Sequence, residues 1–313
     1  MELIRNFQNL RKNDIAIAGG KGASLGEMTQ TGVSVPAGFV ILASVFDRFL
    51  EEADISVEIE ALLHKLNFKN INSVDRVSNE IRDLILDAEF PKDIAKEVQK
   101  KISKLKAKYV AVRSSATAED SSVASWAGEL ESYLNTTKQN LLENIKRCWA
   151  SLFTPRAIFY RFEKKLNKTK ISVAVVIQKM IQSEISGICF TVHPITKDHD
   201  QMVIEAGYGL GEIIVGGKIT PDTYVVHKKN WIILDKNIGR QKTMLLKNKG
   251  GNIEKQVPKS KQEKQKLSDT QILKLAKICQ KIEKHYKAPQ DIEWVLKNGK
   301  FYIVQSRPIT TLK

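Results

Sequence analysis

Cysteine is scarce: Cys148, Cys189 and Cys279 are the only three among 313 residues. Their odd number and wide spacing exclude a disulfide framework and a zinc knuckle. Long apolar runs are missing too. No run exceeds that of Val173 to Ile177, far short of the roughly 20 residues that span a bilayer. The opening MELIRNFQNL has no apolar core of a secretory signal. A cytoplasmic protein without a membrane partner is therefore expected. Aromatics make up 7% and charged residues 27%, which excludes a collagen-like or wholly disordered chain. The length admits two ordinary domains or one large one.

Acidic residues are also outnumbered, 35 against 50 Lys plus Arg, for a net charge of +15. Nucleic-acid binders accumulate such charge because neutralised phosphates release counterions. Here the excess is mostly Lys, interleaved with Glu on helix-like segments, and the densest run, 247–266, has no interleaved aromatics. A solvated Lys-rich surface is the expected reading. A polyanionic ligand, a partner surface or nucleic acid are the other readings, and no nucleic-acid partner is expected.

Repeats and long low-complexity linkers are absent. Helices are expected at 22–31 (ended by Gly32), 44–53, 74–106 with a break at Pro91, 138–151 and 155–165. Strands are expected near 38–42 and at 109–112, the latter running into a polar segment, Arg113-Ser114-Ser115-Ala116-Thr117. From Ile171 branched residues mark strands at 173–179, 187–191, 202–206 and 223–227. One helix returns at 268–286, opened by the capping box Ser268-Asp269-Thr270-Gln271. Two strands, 291–296 and 301–305, flank Asn298-Gly299. The pattern predicts an α+β protein, helix-rich over 1–180 and sheet-rich over 181–313.

Several segments suit phosphate chemistry without proving it. Gly19-Gly20-Lys21-Gly22 lets an ammonium and backbone N–H groups approach a phosphate before a helix, but it lacks Walker A spacing, and taken alone such a motif is more often an ordinary turn. Gly207, Gly209 and Gly211 lack dinucleotide-loop spacing and read as a tight backbone crossing. His193 stands alone and reads as a satisfied structural histidine. Arg113, at the end of a buried strand, is suited to bridging phosphate oxygens. Ala124-Ser125-Trp126-Ala127-Gly128 could be a flap over a ligand or an ordinary loop. Glu293 and Gln305 are hard oxygen donors suited to Mg²⁺, and Gln305 and Arg307 share one face of a strand.

The order of these segments resembles the N-terminal nucleotide-binding domain of phosphoenolpyruvate synthases, pyruvate phosphate dikinases and rifampin phosphotransferases. The matching stretches are GGKGASLGEMTQTGVSVPAGFVI from Gly19, VRSSATAEDSSVASWAGELESYLN from Val112, SGICFTVHPIT from Ser186, EAGYGLGEIIVGGKITPDTYVV from Glu205 and PQDIEWVLKNGKFYIVQSRPIT from Pro289. The resemblance implies an ATP-grasp fold, two α+β lobes holding ATP between them. It implies that Lys21, Arg113 and Arg307 contact phosphates, with Ser132 at a phosphate-contacting hydroxyl position. Gln178, Lys179, Met180 and Ile181 would form the hinge that reads adenine, with Glu184 at the ribose. Glu293 and Gln305 would hold Mg²⁺. Lys197 stands where many relatives have Gly.

None of the five histidines, His64, His193, His199, His227 and His285, lies in the Thr-x-His or Ser-His setting of the family's phosphohistidine. The implied function is an ATP-binding phosphotransferase component that hands a phosphoryl group to a histidine on a separate or missing domain. A non-catalytic ATP-binding module and a stand-alone small-molecule kinase are the alternatives. The metal assignment also makes a geometric demand. A regular two-residue Asn298-Gly299 turn would put Gln305 on the opposite face from Glu293. A three-residue loop with a bulge at Gly299, or another single-residue irregularity in the hairpin, would bring them together. The bulged loop would leave Ile292, Trp294, Leu296, Tyr302 and Val304 as the core stripe.

Overall fold

A computed structural model describes residues 2–68, 70–117, 130–166, 171–248, 251–310 and 312. The flap expected at 124–128 lies outside the described residues. The chain forms two compact units: Met1–Glu27 with Ala37–Met180, and Met28–Pro36 with Ile181–Lys313.

The first unit runs through β1 (Ile4–Asn6), α1 (Ile15–Gln30, its last residues counted with the second unit), β2 (Gly38–Ile41), α2 (Ala43–Glu52), α3 (Ser56–His64), α4 (Ile71–Asp87), α5 (Lys92–Leu105), β3 (Val110–Ala116), β4 (Ser132–Thr136), α6 (Leu141–Ala150), α7 (Pro155–Glu163) and β5 (Val173–Lys179). Its strands form one antiparallel sheet in the order β1-β2-β5-β3-β4. β5 is buried at every residue but Lys179, as an uninterrupted apolar run demands of a central strand. Helices lay apolar stripes on this core. On α4 these are Val74, Val77, Ile81 and Ile85, a 3.6-residue repeat. Trp149 of α6 packs against Phe46, Phe49 and Phe90, with ring centroids 5.8, 4.8 and 5.5 Å away. Pro155 stands at the start of α7, where the Thr154 hydroxyl accepts from Ala157 N at 3.2 Å.

The second unit contains β6 (Ile185–Phe190), β7 (Gln201–Tyr208), α8 (Glu212–Val215), β8 (Asp222–His227), β9 (Ile232–Asn237), β10 (Thr243–Asn248), β11 (Gly251–Gln256), α9 (Asp269–Tyr286), β12 (Gln290–Lys297) and β13 (Lys300–Pro308). Six strands make an antiparallel sheet in the order β13-β12-β6-β7-β8-β9, and β10–β11 form a separate hairpin. The capping box is formed on both sides: Ser268 Oγ accepts from Gln271 N, and Gln271 Oε1 from Ser268 N. α9 packs on β7, β8, β9 and β12. Its buried stripe is Ile272, Leu275, Ala276, Cys279 and Ile282, close to a 3.6-residue period, and Tyr286 is half-buried.

Three expectations change. The strand expected at 109–112 continues through the polar run to Ala116, because its hydroxyls are satisfied internally. Ser114 Oγ donates to Glu131 O at 2.9 Å and Ser115 Oγ to Ala18 O at 2.9 Å. The Gly-Lys loop is a kink inside α1, confined to Gly19 at φ 66° and ψ 173°. The Lys-rich run 247–266 is not all solvated surface. It contains β11, and it ends on a fully buried ion pair: Lys266 Nζ lies 2.7 Å from Asp222 Oδ1, both side chains at 0% exposure. Asp222 also accepts from Lys266 N (2.8 Å), Gly239 N (3.1 Å) and Tyr224 OH (2.6 Å), while Lys266 Nζ donates to Gly239 O at 2.6 Å.

Such a pair contributes little net stability when complete, but removing one partner strands a buried charge. Lys266→Met is expected to destabilise the protein by about 3–5 kcal/mol in urea unfolding. The Lys266→Met, Asp222→Leu double variant is expected to recover part of that loss.

Candidate functional site

In the first unit the kink at Gly19 sets the cationic residues. A Cβ at Gly19 would stand 2.2 Å from Ser115 Oγ, so only glycine lets α1 approach β3 this closely. Ser115 Oγ then accepts from Gly22 N at 3.2 Å. This ties the turn carrying Lys21 to the strand carrying Arg113. Arg113 is 9% exposed and pairs across the ladder with Ser132 of β4, so two expected phosphate contacts are register partners. Beneath them Cys148 is buried; burial pushes its thiol up to about 12, with Lys21 pulling weakly the other way. It is not a nucleophile near neutral pH.

The residues expected to form the hinge begin at the end of β5. The N–H groups of Lys179 and Met180 donate to Ala37 O (2.8 Å) and Tyr109 O (3.1 Å), so both are spent inside the first unit. Gln178 is 2% exposed and its Nε2 is buried without a partner. An orphaned amide of this kind is costly unless a ligand acceptor meets it.

In the second unit, Ile181 opens the chain towards Glu184, whose carboxylate accepts from Lys297 Nζ (3.0 Å) and Asn298 N (3.3 Å). These contacts, Lys297 foremost, hold it below the ordinary carboxylate range. Glu184 is thus engaged at the hairpin tip. It lines a cavity of about 740 Å³ with Ile185, Tyr208, Leu210, Met244 and Lys247.

The β12–β13 hairpin departs from the expected loop but meets the geometric demand. Lys297 pairs with Lys300, and Asn298 (φ 49°) and Gly299 (φ 70°) form the two-residue turn. The irregularity lies further in: Glu293 pairs with Gln305 but Trp294 with Ile303, leaving Val304 as the extra residue. Asp291 pairs with Arg307, so by alternation Asp291, Glu293, Gln305 and Arg307 share one face. The core stripe is correspondingly Ile292, Trp294, Leu296, Phe301 and Ile303; Phe301 and Ile303 replace the expected Tyr302 and Val304, which are half-buried. Register carries the acidic face on through Ile188 to Glu205 of β7.

Asp291 was not singled out from the sequence, although Asp-x-Glu on a strand is the period-2 signal that finds it. Its Oδ2 accepts from Arg307 Nε (2.9 Å) and Nη2 (2.7 Å), while Oδ1 is buried with no partner. Burial raises its carboxyl, outweighing Arg307, and Glu293 adds to the rise. Burial, then the nearby Asp291, raises Glu205 as well. An orphan carboxylate oxygen beside Glu293 and Gln305 fits a hard divalent cation. Among the described residues no three His, Cys, Asp or Glu side chains form a ready metal cage.

The other motifs resolve as structure. Gly209, at φ 92°, crosses Leu245 so closely that a Cβ would lie 2.5 Å from Leu245 O. His193 Nδ1 accepts from Ile195 N and Thr196 N at 3.3 and 3.2 Å. Lys197, at φ 58°, adopts the conformation that glycine favours. No helix among the described residues is long and apolar enough to cross a membrane.

Residues 15–313 match the family described as pyruvate phosphate dikinase, AMP/ATP-binding domain, and the chain belongs to that family, an ATP-grasp fold of two α+β lobes. It is 44% identical over 321 residues to a probable phosphoenolpyruvate synthase of Methanocaldococcus jannaschii, covering 100% of this chain and 27% of that one. A probable phosphoenolpyruvate synthase of Archaeoglobus fulgidus is 46% identical over 308 residues, covering 96% and 41%. The rifampicin phosphotransferase of Bacillus subtilis is 38% identical over 317 residues, covering 99% and 36%. The chain thus spans less than half the length of these relatives.

Gly19→Ala is expected to weaken ATP binding at least about tenfold, a loss of 1.4 kcal/mol, by pushing Gly22 off Ser115 and so shifting the turn that carries Lys21. Calorimetry with ATP, alongside a thermal melt to confirm folding, reads the effect.

Proposed function

We propose that this chain is the Mg·ATP-binding component of a dikinase-type phosphotransferase, working in the cytoplasm. It would pass a phosphoryl group to a histidine on a further domain or a separate polypeptide. The pairing of Glu293 with Gln305, with Asp291 and Arg307 on the same face, is the observation that carries this reading beyond family membership. It supports oxygen ligands and a phosphate-seeking guanidinium on one surface. In this reading Lys21, Arg113 and Arg307 neutralise the phosphate oxygens and Ser132 donates a hydroxyl. The Gln178 amide meets the adenine edge with Lys179, Met180 and Ile181 alongside, and Glu184 turns to the ribose.

Glu293 and Gln305 hold Mg²⁺, and Asp291 Oδ1 is the further oxygen on that face. Mg²⁺ would supply charge neutralisation of the phosphates. The chain's own residues position the phosphoryl group and stabilise its charge, since phosphoryl transfer asks for little else. The pyruvate, antibiotic or other final acceptor belongs to the remaining domains.

Calorimetry is expected to show ATP binding that depends on Mg²⁺ and is lost in Glu293→Gln. No AMP should form from pyruvate with this chain alone; AMP formation, or failure to bind ATP, would overturn the reading. Lys21→Ala and Arg113→Ala should each weaken ATP by about 1.5–3 kcal/mol while leaving adenosine binding nearly unchanged. Equal losses for both ligands would place these side chains elsewhere.

The net charge of +15 should give only weak duplex DNA binding that disappears between about 50 and 200 mM salt. A gel-shift titration across that range measures it.

A further inference from the structure

The first unit carries a groove of about 690 Å³ that none of the proposed ATP chemistry uses. Its floor is apolar, made of Ala53, Ile55, Leu62, Leu84 and Ala88. Its rim is acidic: Glu52 and Glu58 on the α2–α3 side, and Glu80, Asp83, Asp87 and Glu89 from α4 and the turn after it. No cationic side chain is among the described lining residues, in a chain of net charge +15. All six carboxylates are on exposed residues.

The carboxylates are placed against local helix energetics. Glu80, Asp83, Leu84 and Asp87 fall at i, i+3, i+4 and i+7, one stripe of α4. Like charges at this spacing repel. Asp87 closes the helix at the negative end of its dipole, where a cation is favoured. Neither α4 nor α2, which ends Glu51-Glu52, has a basic residue in its last turn.

Among the described residues, neighbouring cations pair with two rim carboxylates, Glu52 and Glu80, and leave the other four without an ion pair. Arg48 binds Glu52 at 2.6 Å and Asp93 at 2.8 Å. Arg76 stands 3.8 Å from Glu80. Lys146 donates to the carbonyls of Leu86 and Ala88. Among the described residues no cation forms an ion pair with Glu58, Asp83, Asp87 or Glu89.

We propose that this groove docks a basic amphipathic helix of a partner protein. Apolar side chains of the partner would cover Leu62 and Leu84, and its Lys or Arg residues, one turn apart, would meet Glu80, Asp83 and Asp87. Those three span about 10 Å along α4 at 1.5 Å per residue, two turns of a partner helix. The apolar floor separates this occupant from a polyamine, which brings charge but no side chains to bury. The chain as a whole repels cations, so attraction must act locally, within a Debye length of about 10 Å at 0.1 M salt.

The test uses the full chain and a fluorescent synthetic peptide of about 18 residues, five helical turns, with Leu along one face and Lys along its flanks. A scrambled peptide of equal charge and spermine serve as controls. Fluorescence anisotropy at about 0.1 M salt is expected to show saturable binding of the amphipathic peptide. Binding should fall at least tenfold in the Glu80→Gln, Asp83→Asn, Asp87→Asn variant. That variant should keep its ATP affinity and melt at a slightly higher temperature, because like-charge repulsion is gone. No binding, equal binding by the variant or by the scrambled peptide, or displacement by equimolar spermine would each overturn the proposal.

Discussion

A β-ladder assigns side chains to alternate faces, and the polar face of the second unit depends on breaking that alternation in the β12–β13 hairpin. The extra residue Val304 lets Glu293 stand opposite Gln305 while Trp294 stands opposite Ile303. Before the break the two strands present acids, amide and guanidinium together. After it they present the aromatic pair Trp294 and Phe301, whose centroids are 5.6 Å apart, to the core. A uniform ladder would have had to sacrifice either the shared polar face or the core stripe. The bulge serves both, and the Asp291–Arg307 pairing two residues on shows that regular alternation resumes at once.

The same logic of satisfied and unsatisfied polar groups separates scaffold from site. Ser114 and Ser115 sit in the sheet interior because each hydroxyl has a partner. Asp222 and Lys266 are completely buried because they bond to each other and to Gly239 and Tyr224, all brought together by the fold. Against that background Gln178 Nε2 and Asp291 Oδ1 stand out, buried without partners. Two of the other unpartnered buried atoms are indole nitrogens of core tryptophans. Orphan groups beside charged neighbours are where a structure is incomplete until something binds.

Much of this was legible locally. The continuous apolar run of β5, the capping box of α9 and Pro155 at the start of α7 are short-range signals, and the structure follows them. Asn298-Gly299 was legible as a two-residue turn, and the need for a shared face argued for a longer bulged loop or another single-residue irregularity in the hairpin. The correct resolution kept the turn and moved the irregularity five residues away, which no local pattern dictates. β1, α3, β4, α8, β9, β10 and β11 were not read. Of the last three, β9 and β11 are largely exposed and β10 is half-buried along most of its length, so neither a buried face nor a clean alternation marks them. Lys266 was counted as surface because its partner Asp222 is 44 residues away. Asp291 was passed over because its role depends on Arg307 across the hairpin.

The position of β5 in its sheet has a consequence for the order in which the protein can be made. It lies between β2 and β3, yet it is the last strand of its unit to be synthesised. Until residue 179 has left the ribosome, β1–β2 and β3–β4 are two separate ribbons, each with an open edge and an uncovered apolar face. Emergence of a single seven-residue strand closes both edges at once, so this unit passes from two fragments to one sheet in a single late step. The nascent chain must therefore carry well over a hundred residues in an unfinished state, the interval in which chaperone protection matters most.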